Sequence, residues 1–147
     1  MKIFVESSIL VEYIKGNQTD LLEHLISSDY ELYTNAIVYS EFMFYYMAVV
    51  GEKSPLALKE SKQIKKIIEQ HHPIDMFTYF TTLQIGKDIK LLSYDYMQQY
   101  NLLPNDALIL ATAKINNLDI LASFDKKDFQ NPCKEEGIKL INSIAEL

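Results

Sequence analysis

Short apolar runs alternate along the chain with longer stretches that have helical spacing. The runs with the length and composition of buried strands are Lys2 to Glu6, Glu31 to Thr34, Asp119 to Ser123 and Ile138 to Ile141. Helical stretches separate most of these runs, and parallel strands need such crossovers. The order therefore predicts an α/β fold, with a short, mostly parallel central sheet of four or five strands and helices on both faces.

The predicted helices have recognisable start and stop signals. They run from Ser7 or Ser8 to about Lys15, from Thr19 to Ser28, from the Asn35 cap to Val50, from Pro55 to about Gln70, from about Tyr79 to Tyr100, and from Pro104 and Asn105 to about Asn117. No internal repeat or low-complexity linker interrupts the 147 residues. We therefore expect a single domain spanning residues 1–147.

Composition limits the partners and the setting. The net charge is −6, the pI is near 5.0, and all 14 basic residues are lysines, so a nucleic acid held by phosphate contacts alone is not expected. A single cysteine, Cys133, excludes an internal disulfide and lacks partners for a zinc site. The apolar opening run is too short for a signal peptide, and Glu41 interrupts the longest apolar run. We expect a cytoplasmic protein with no membrane association.

Four acidic residues stand in apolar settings. Glu6 ends the run KIFVE, Glu41 is the only charge within AIVYSEFMFYYMAVV, Asp106 lies at a helix start, and Asp125 follows a strand by two residues. The functional cleft of a parallel sheet lies beyond the carboxyl ends of its strands. Because each acid is placed near that edge, the sequence predicts that all four converge there.

Clustered carboxylates in apolar surroundings need a neutralising partner, which is a proton, a basic side chain or a metal ion. No nearby basic residue is obvious as that partner. Carboxylate oxygens favour Mg²⁺ or Mn²⁺, ions that are commonly shared with a substrate phosphate and that activate water for phosphodiester hydrolysis. The predicted site should hold protons when it lacks a cation, so metal binding should strengthen as pH rises.

The order of these acids resembles the PIN-domain ribonucleases, and within them the VapC-type toxins of toxin–antitoxin pairs. The matching segments are FVESS with Glu6 and Ser8, YSEF with Glu41, NDALILATA with Asp106, and SFDKKDF with Ser123, Asp125 and Asp128. The resemblance extends over nearly the whole chain. It implies a PIN-like fold and an Mg²⁺- or Mn²⁺-dependent endoribonuclease that cleaves RNA. It also implies that Glu6, Glu41, Asp106 and Asp125 are catalytic metal ligands, and that an antitoxin protein is the partner.

One motif departs from the family pattern, because Glu6 stands where the family usually has aspartate. The added methylene moves the carboxylate outward by about 1.5 Å. This departure, together with the lack of arginine, leaves open a second hypothesis, a catalytically weak PIN-like module that binds RNA or protein. Phosphotransfer on an aspartate fits poorly, because strand one ends in glutamate.

Plainer roles exist for each acid. Asp106 alone would suit a helix cap, Glu6 a surface position at a strand end, and Asp125 or Asp128 a solvated turn. Ser8 and Ser123 are expected to orient ligands by hydrogen bonds, or to serve as caps or turn residues, rather than to act as nucleophiles.

Aromatic side chains go round more than one side of the helix from Ala36 to Val50. One face of this helix should pack on the sheet, and another face needs a packing partner that buries it. A homodimer contact, a groove for an antitoxin helix, or burial by later helices of the same chain would each supply that cover.

Overall fold

The computed structural model describes all 147 residues and contains one five-stranded parallel sheet. Its strands are β1 (Lys2–Val5), β2 (Glu31–Asn35), β3 (Thr81–Leu83), β4 (Ile120–Ala122) and β5 (Lys139–Ile141). They are ordered β3-β2-β1-β4-β5, and every neighbouring pair is parallel. The predicted α/β class and parallel sheet are confirmed.

The centre of the sheet is the most deeply buried part of the protein. Ile3, Phe4 and Val5 of β1 have no exposed surface, and all three residues of β4 are buried as well. Successive side chains of a strand point to opposite faces, so both faces of the central strands must be covered. This explains why β1 and β4 are continuous apolar runs rather than alternating ones.

Eight α-helices flank the sheet. They are α1 (Ser7–Ile14), α2 (Asp20–Ser27), α3 (Ala36–Gly51), α4 (Pro55–Glu60), α5 (Ile64–His71), α6 (Lys87–Tyr100), α7 (Pro104–Ile115) and α8 (Lys126–Glu136). Helix α1 packs against α3, and α7 packs against both α6 and α8. None of these helices combines the length and apolar character needed to cross a bilayer.

The predicted helix from Tyr79 to Tyr100 is wrong in its first part. A 3-10 turn occupies Pro73–Tyr79, Thr81–Leu83 forms the edge strand β3, and α6 begins only at Lys87. Thr81 and Thr82 are exposed, so the strand lacks the buried apolar pattern that would reveal it in the sequence. Their β-branched side chains favour the extended backbone, and pairing with β2 completes it.

Two further boundaries differ from expectation. The predicted helix from Pro55 to Gln70 is split into α4 and α5, because Lys62 adopts a left-handed φ of 56° between them. Helix α8 has no counterpart among the predicted elements. It carries Pro132 in its interior, and only Phe129, Pro132 and Cys133 are buried, so its apolar stripe is narrow.

Candidate active site

The candidate site lies where the order of the strands reverses. The chain leaves β1 for β2 on one side and later returns to β4 on the other, so the carboxyl ends of β1 and β4 are adjacent. The Glu6 backbone N–H donates to the Ala122 carbonyl oxygen at 3.0 Å and joins the two ends. A cleft at such a switch point is the usual ligand site of an open α/β sheet.

A cavity of about 300 Å³ opens beside this point. It is lined by Glu6, Ser7, Ser8, Val11, Glu12, Lys15, Glu41, Tyr45 and Asp106. Three of the four predicted acids, contributed by three separate parts of the chain, therefore meet in one cavity. Only Val11 and Tyr45 in the lining are hydrophobic, so the cavity suits a polar ligand.

The Glu6 carboxylate is held by three serines, which we call the serine cradle: Ser7, Ser8 and Ser123. One oxygen of Glu6 accepts from the Ser8 N–H at 3.0 Å, from the Ser8 hydroxyl, and from the Ser123 hydroxyl at 2.9 Å. Glu6 is only 5% exposed, and these donors replace the water that burial removes. The cap of α1 is thus Glu6, and the expectation that Ser7 or Ser8 caps this helix is wrong.

Backbone amides fix the direction in which two cradle hydroxyls donate. The Ser8 hydroxyl accepts from the Phe124 N–H at 2.9 Å, and the Ser123 hydroxyl accepts from the Asp125 N–H at 3.0 Å. Each hydroxyl has a single hydrogen, which is directed to Glu6. Ser8 and Ser123 thus orient the Glu6 carboxylate by hydrogen bonds, and their role toward a bound ligand stays a prediction.

Ser7, which the sequence analysis considered only for the start of α1, contacts two acids at once. Its hydroxyl oxygen lies within hydrogen-bond distance of one Glu6 oxygen and 2.7 Å from the Glu41 Oε2. A serine hydroxyl carries one hydrogen, so it can donate to only one of them at a time. The Ser7 hydroxyl therefore links the carboxylates of Glu6 and Glu41. Its position directly after the strand-end acid is the sequence signal for this residue.

Glu41 is oriented from both sides. It lies in the second turn of α3, as the sequence predicts, and its Oε1 accepts from the Asn105 side-chain amide at 2.8 Å. Asn105 immediately precedes Asp106 in the first turn of α7. This hydrogen bond therefore links the two helices that deliver Glu41 and Asp106 to the cavity.

Asp106 differs from the other acids because its carboxylate has no hydrogen-bond partner in the protein. It is the third residue of α7, where Leu103 is the cap residue and no side chain caps the helix, so the simple capping role is not realised. Burial, followed by the negative charges of Asp128, Glu6, Glu41 and Asp125, raises the pKa of Asp106 from its ordinary 3.8 to about 7. This carboxyl group is thus poised to exchange a proton for a cation near neutral pH.

Asp125 does not line the cavity. Its side chain caps α8 by accepting from the Asp128 N–H at 3.2 Å, which is the turn role that competes with metal binding. Asp128, in the first turn of α8, affects Asp106 more strongly than Asp125 does. No three acidic, histidine or cysteine side chains are grouped tightly enough to hold one ion together. The convergence of the four carboxylates is therefore incomplete, because Glu6, Glu41 and Asp106 line one cavity whereas Asp125 caps α8.

No cation of the protein neutralises these acids. The four ion pairs of the chain involve Glu12, Glu69, Glu136 and Glu146. Lys15 is the only basic residue in the cavity lining, and it pairs with Glu12 at 2.9 Å. Cys133 is buried and its pKa is raised to about 12, so it offers no thiolate at neutral pH.

The aromatic helix α3 is covered only in part by its own chain. Tyr39 and Phe42 pack edge-on against Phe77 of the 3-10 turn, with ring centroids 5.1 and 5.4 Å apart. Phe44 and Tyr45 pack on each other but are 52% and 49% exposed. Burial by later segments therefore accounts for one side of α3, and an aromatic pair next to the cavity is left uncovered.

Comparison with known proteins agrees with this geometry. The family model of the PIN domain matches residues 3–135. The chain belongs to the PIN-domain family. The resemblance predicted from its four motifs is thus confirmed, and the acids of this PIN domain lie at the edge of the sheet that the motifs indicate.

Two relatives from Methanocaldococcus jannaschii are similar over most of their length. Ribonuclease VapC2 is 31% identical over 126 residues, which cover 84% of this chain and 85% of the relative. Ribonuclease VapC6 is 30% identical, with 90% and 97% covered. A solved toxin–antitoxin complex from Klebsiella pneumoniae contains a chain with a TM-score of 0.65 at 21% identity, covering 95% of this PIN domain and 96% of that chain. This structural likeness shows a common fold.

Proposed function

We propose that this PIN domain is an Mg²⁺- or Mn²⁺-dependent endoribonuclease that hydrolyses RNA phosphodiester bonds with metal-activated water. The observation that carries the proposal is the Asp106 carboxylate, which is half-buried, unpartnered and raised in pKa to about 7 in a cavity shared with Glu6 and Glu41. Carboxylates with strongly raised pKa values cluster at functional sites, where a cation or a reactant supplies the missing partner. The ribonuclease names of both relatives support the choice of RNA.

The residues present fit such an ion. Mg²⁺ prefers oxygen ligands, keeps several waters, and commonly binds through only one or two carboxylates together with a substrate phosphate. We propose Asp106 and Glu41 as direct ligands, and Glu6 and Asp125 as further ligands, directly or through water. When bound, the ion supplies positive charge to the scissile phosphate and makes a coordinated water more acidic.

The side chains of the site have separate tasks in this proposal. Asp106 gives up its proton when the cation enters, and Ser7 and Asn105 hold Glu41 in one orientation. The serine cradle fixes Glu6 beside them. The Ser8 and Ser123 hydroxyl hydrogens are directed to Glu6, so neither serine is set up as a nucleophile. Water is therefore the attacking group.

The test is cleavage of a labelled RNA by the purified protein. We expect cleavage with added Mn²⁺ or Mg²⁺, none in EDTA, and recovery when excess metal is restored. The Asp106→Asn variant, prepared in the same way, controls for a contaminating ribonuclease. Cleavage that persists in EDTA, or that is unchanged in the variant, contradicts the proposal.

We also propose that the protein is a VapC-like toxin, located in the cytoplasm and restrained by an antitoxin protein. The similar Klebsiella chain comes from a toxin–antitoxin complex, and the exposed Phe44–Tyr45 pair offers aromatic surface beside the cavity. Co-expression with the product of a small neighbouring gene for a DNA-binding protein should relieve growth arrest and suppress RNA cleavage. Growth arrest that this product leaves unchanged would contradict the pairing.

A homodimer is part of the same proposal, with α3 as its expected contact. Light scattering coupled to gel filtration should give twice the 17.0 kDa chain mass. Replacing both Phe44 and Tyr45 by serine should shift the mass toward the monomer if these residues form the contact. A monomeric wild-type protein would remove the dimer from the proposal and leave the nuclease site untouched.

A catalytically weak PIN-like module that binds RNA or protein is the second candidate. The observation that favours it is Glu6, which replaces the usual aspartate, already accepts from Ser8 and Ser123, and lies within hydrogen-bond distance of the Ser7 hydroxyl. The Glu6→Asp variant separates the candidates. Cleavage that appears only in this variant favours the binding module. If the wild type cleaves RNA and the variant's cleavage rate differs from it by less than about tenfold, the longer acid is competent.

A further inference from the structure

One face of α8 carries a concentration of lysines that the nuclease site does not explain. Lys126, Lys127 and Lys134, with Gln130 and Asn131, line a shallow surface groove of about 430 Å³ that contains no carboxylate and no hydrophobic residue. At about 100° per residue these five positions fall within an arc of about 140°. We call this surface the α8 lysine face.

The charges of this face are largely unneutralised. Lys127 and Lys134 form no ion pair, and the Lys126 ammonium is 4.0 Å from Glu146, with its side chain 55% exposed, which contributes little. By contrast, Lys15 and Lys114 lie 2.9 and 3.1 Å from carboxylate oxygens. In a chain with 20 acidic and 14 basic residues, a groove lined by three lysines and no acid is an unexpected local excess of positive charge.

The first lysine of the α8 lysine face follows Asp125 directly in the chain. Helix α8 starts directly after Asp125, whose N–H donates to Ser123 of the serine cradle. Asp128, in the first turn of α8, acts on Asp106. From Lys126 to Lys134 the helix rises about 12 Å, so the lysines extend over that length from the end of α8 that adjoins Asp125.

We propose that the α8 lysine face binds the phosphate backbone of the RNA strand that enters the carboxylate cavity, an inference that rests on the proposed nuclease function. The acids around Asp106 repel a polyanion, and an acidic protein needs a separate source of attraction to hold one. Lysine ammonium groups contact phosphates without reading bases, and the Gln130 amide adds a hydrogen-bond donor. The face positions the strand and is not catalytic.

The test compares two triple variants with equal loss of charge. Lys126, Lys127 and Lys134 are changed to glutamine in one, and Lys59, Lys65 and Lys66, exposed residues of α4 and α5, are changed to glutamine in the other. Each is combined with Asp106→Asn so that RNA stays intact in Mg²⁺. Binding of a fluorescein-labelled single-stranded RNA is followed by anisotropy over a series of KCl concentrations.

The slope of log affinity against log salt should shrink by about 2 in the α8 variant, at about 0.7 per lost phosphate contact, and should change less in the control. With Asp106 restored, cleavage by the α8 variant should show a raised KM and an unchanged kcat. Equal slopes in the two variants overturn the proposal, as does tighter binding of an acidic peptide than of RNA to the wild-type face.

The outcomes separate this inference from the nuclease proposal. If the wild type cuts RNA and the two triple variants bind alike, the α8 lysine face is wrong and the nuclease stands. If no RNA is cut but the α8 variant alone loses its salt-dependent binding, the binding face is supported and the nuclease is wrong. Because all three lysines are exposed, thermal unfolding of the α8 variant should match that of the control.

Discussion

The end of β1 and the first turn of α7 each contribute a carboxylate to the same cavity, but the two carboxylates differ in burial and in hydrogen bonding. At the end of β1, Glu6 is almost fully buried and is surrounded by hydrogen-bond donors. In the first turn of α7, Asp106 is only half-buried and has no donor at all. The more buried acid is thus the better compensated one, which shows that donors and not burial alone decide whether a carboxylate is left reactive.

Because of this difference, Glu6 and Asp106 have separate roles in the site. The serine cradle makes Glu6 part of the framework that joins β1 to β4, whereas Asp106 keeps its capacity for an external partner. Two kinds of substitution test this difference: one removes the Asp106 carboxylate, and the other removes hydrogen bonds that hold Glu6.

Removing the carboxylate of Asp106 should have the largest effect. We expect Asp106→Asn to reduce RNA cleavage more than about 100-fold, beyond the loss typical of residues that only support ligands. The free energy of unfolding at neutral pH should not fall, because the variant removes a buried, uncompensated charge. Cleavage assays and urea unfolding measure the two effects. The matched control is Asp95→Asn, an exposed aspartate on the neighbouring α6, and equal losses in both variants would refute the assignment.

Loosening the serine cradle comes next. Ser123→Ala removes a donor to Glu6 and an acceptor for the Asp125 N–H, and should lower the unfolding free energy by about 1–3 kcal/mol. Metal affinity, measured by calorimetry, should fall about 10- to 100-fold. In a Glu6→Gln background the same serine change should cost less, because the charged acceptor is gone. Additive losses in the double variant would show that the two residues do not act together.

A change of pH should alter the contribution of Asp106 to the free energy of unfolding. Its pKa is about 7 in the folded protein against an ordinary 3.8, so between these values the native state binds a proton that the unfolded state has lost. The contribution of Asp106 to stability therefore falls as pH rises from about 4 to about 7, and its cost is complete above that. Unfolding of the wild type and of Asp106→Asn, compared at about pH 5 and about pH 8, isolates this term.

The same proton competes with the metal ion. Manganese affinity should drop about tenfold for each pH unit below about 7. Calorimetric titration of the wild type at a series of pH values checks this dependence. An affinity that does not change between about pH 5 and about pH 8 would contradict the role of Asp106 as a proton-gated ligand.

The smallest effect is expected from Asn105. Asn105→Ala removes one exposed hydrogen bond to Glu41, which is worth about 0.5–1.5 kcal/mol and corresponds to a loss of roughly two- to tenfold in metal affinity. Asn131→Ala, which removes an exposed hydrogen bond to Glu135 outside the cavity, is the control. A loss at Asn105 as large as that at Asp106 would mean that Glu41 is the dominant ligand.

Much of this arrangement could be predicted from the sequence, because its signals are local. The apolar runs of β1 and β4 predict buried parallel strands, and Glu41 within an aromatic helix is unusual enough to mark a site. The placement of Glu6, Glu41 and Asp106 at one edge follows from strand and helix order alone. Family membership then follows from the spacing of those motifs.

The rest depends on contacts that no local pattern encodes. The edge strand β3 has two exposed threonines and gains its identity from pairing with β2. Asp125 looks equivalent to Asp106 in the sequence, but the start of α8 takes its carboxylate as a cap. The double contact of Ser7 arises only when α1 and α3 pack together, which brings Glu41 to a hydroxyl 34 positions away.

The bond between Ser123 and Glu6 joins residues 117 positions apart, and this separation bears on how the protein is made. During translation the amino-terminal strand leaves the ribosome long before the serine that secures its acid. A growing chain thus has no assembled carboxylate site until β4 has emerged and inserted beside β1. Prematurely terminated products that lack this strand should therefore lack the proposed nuclease activity.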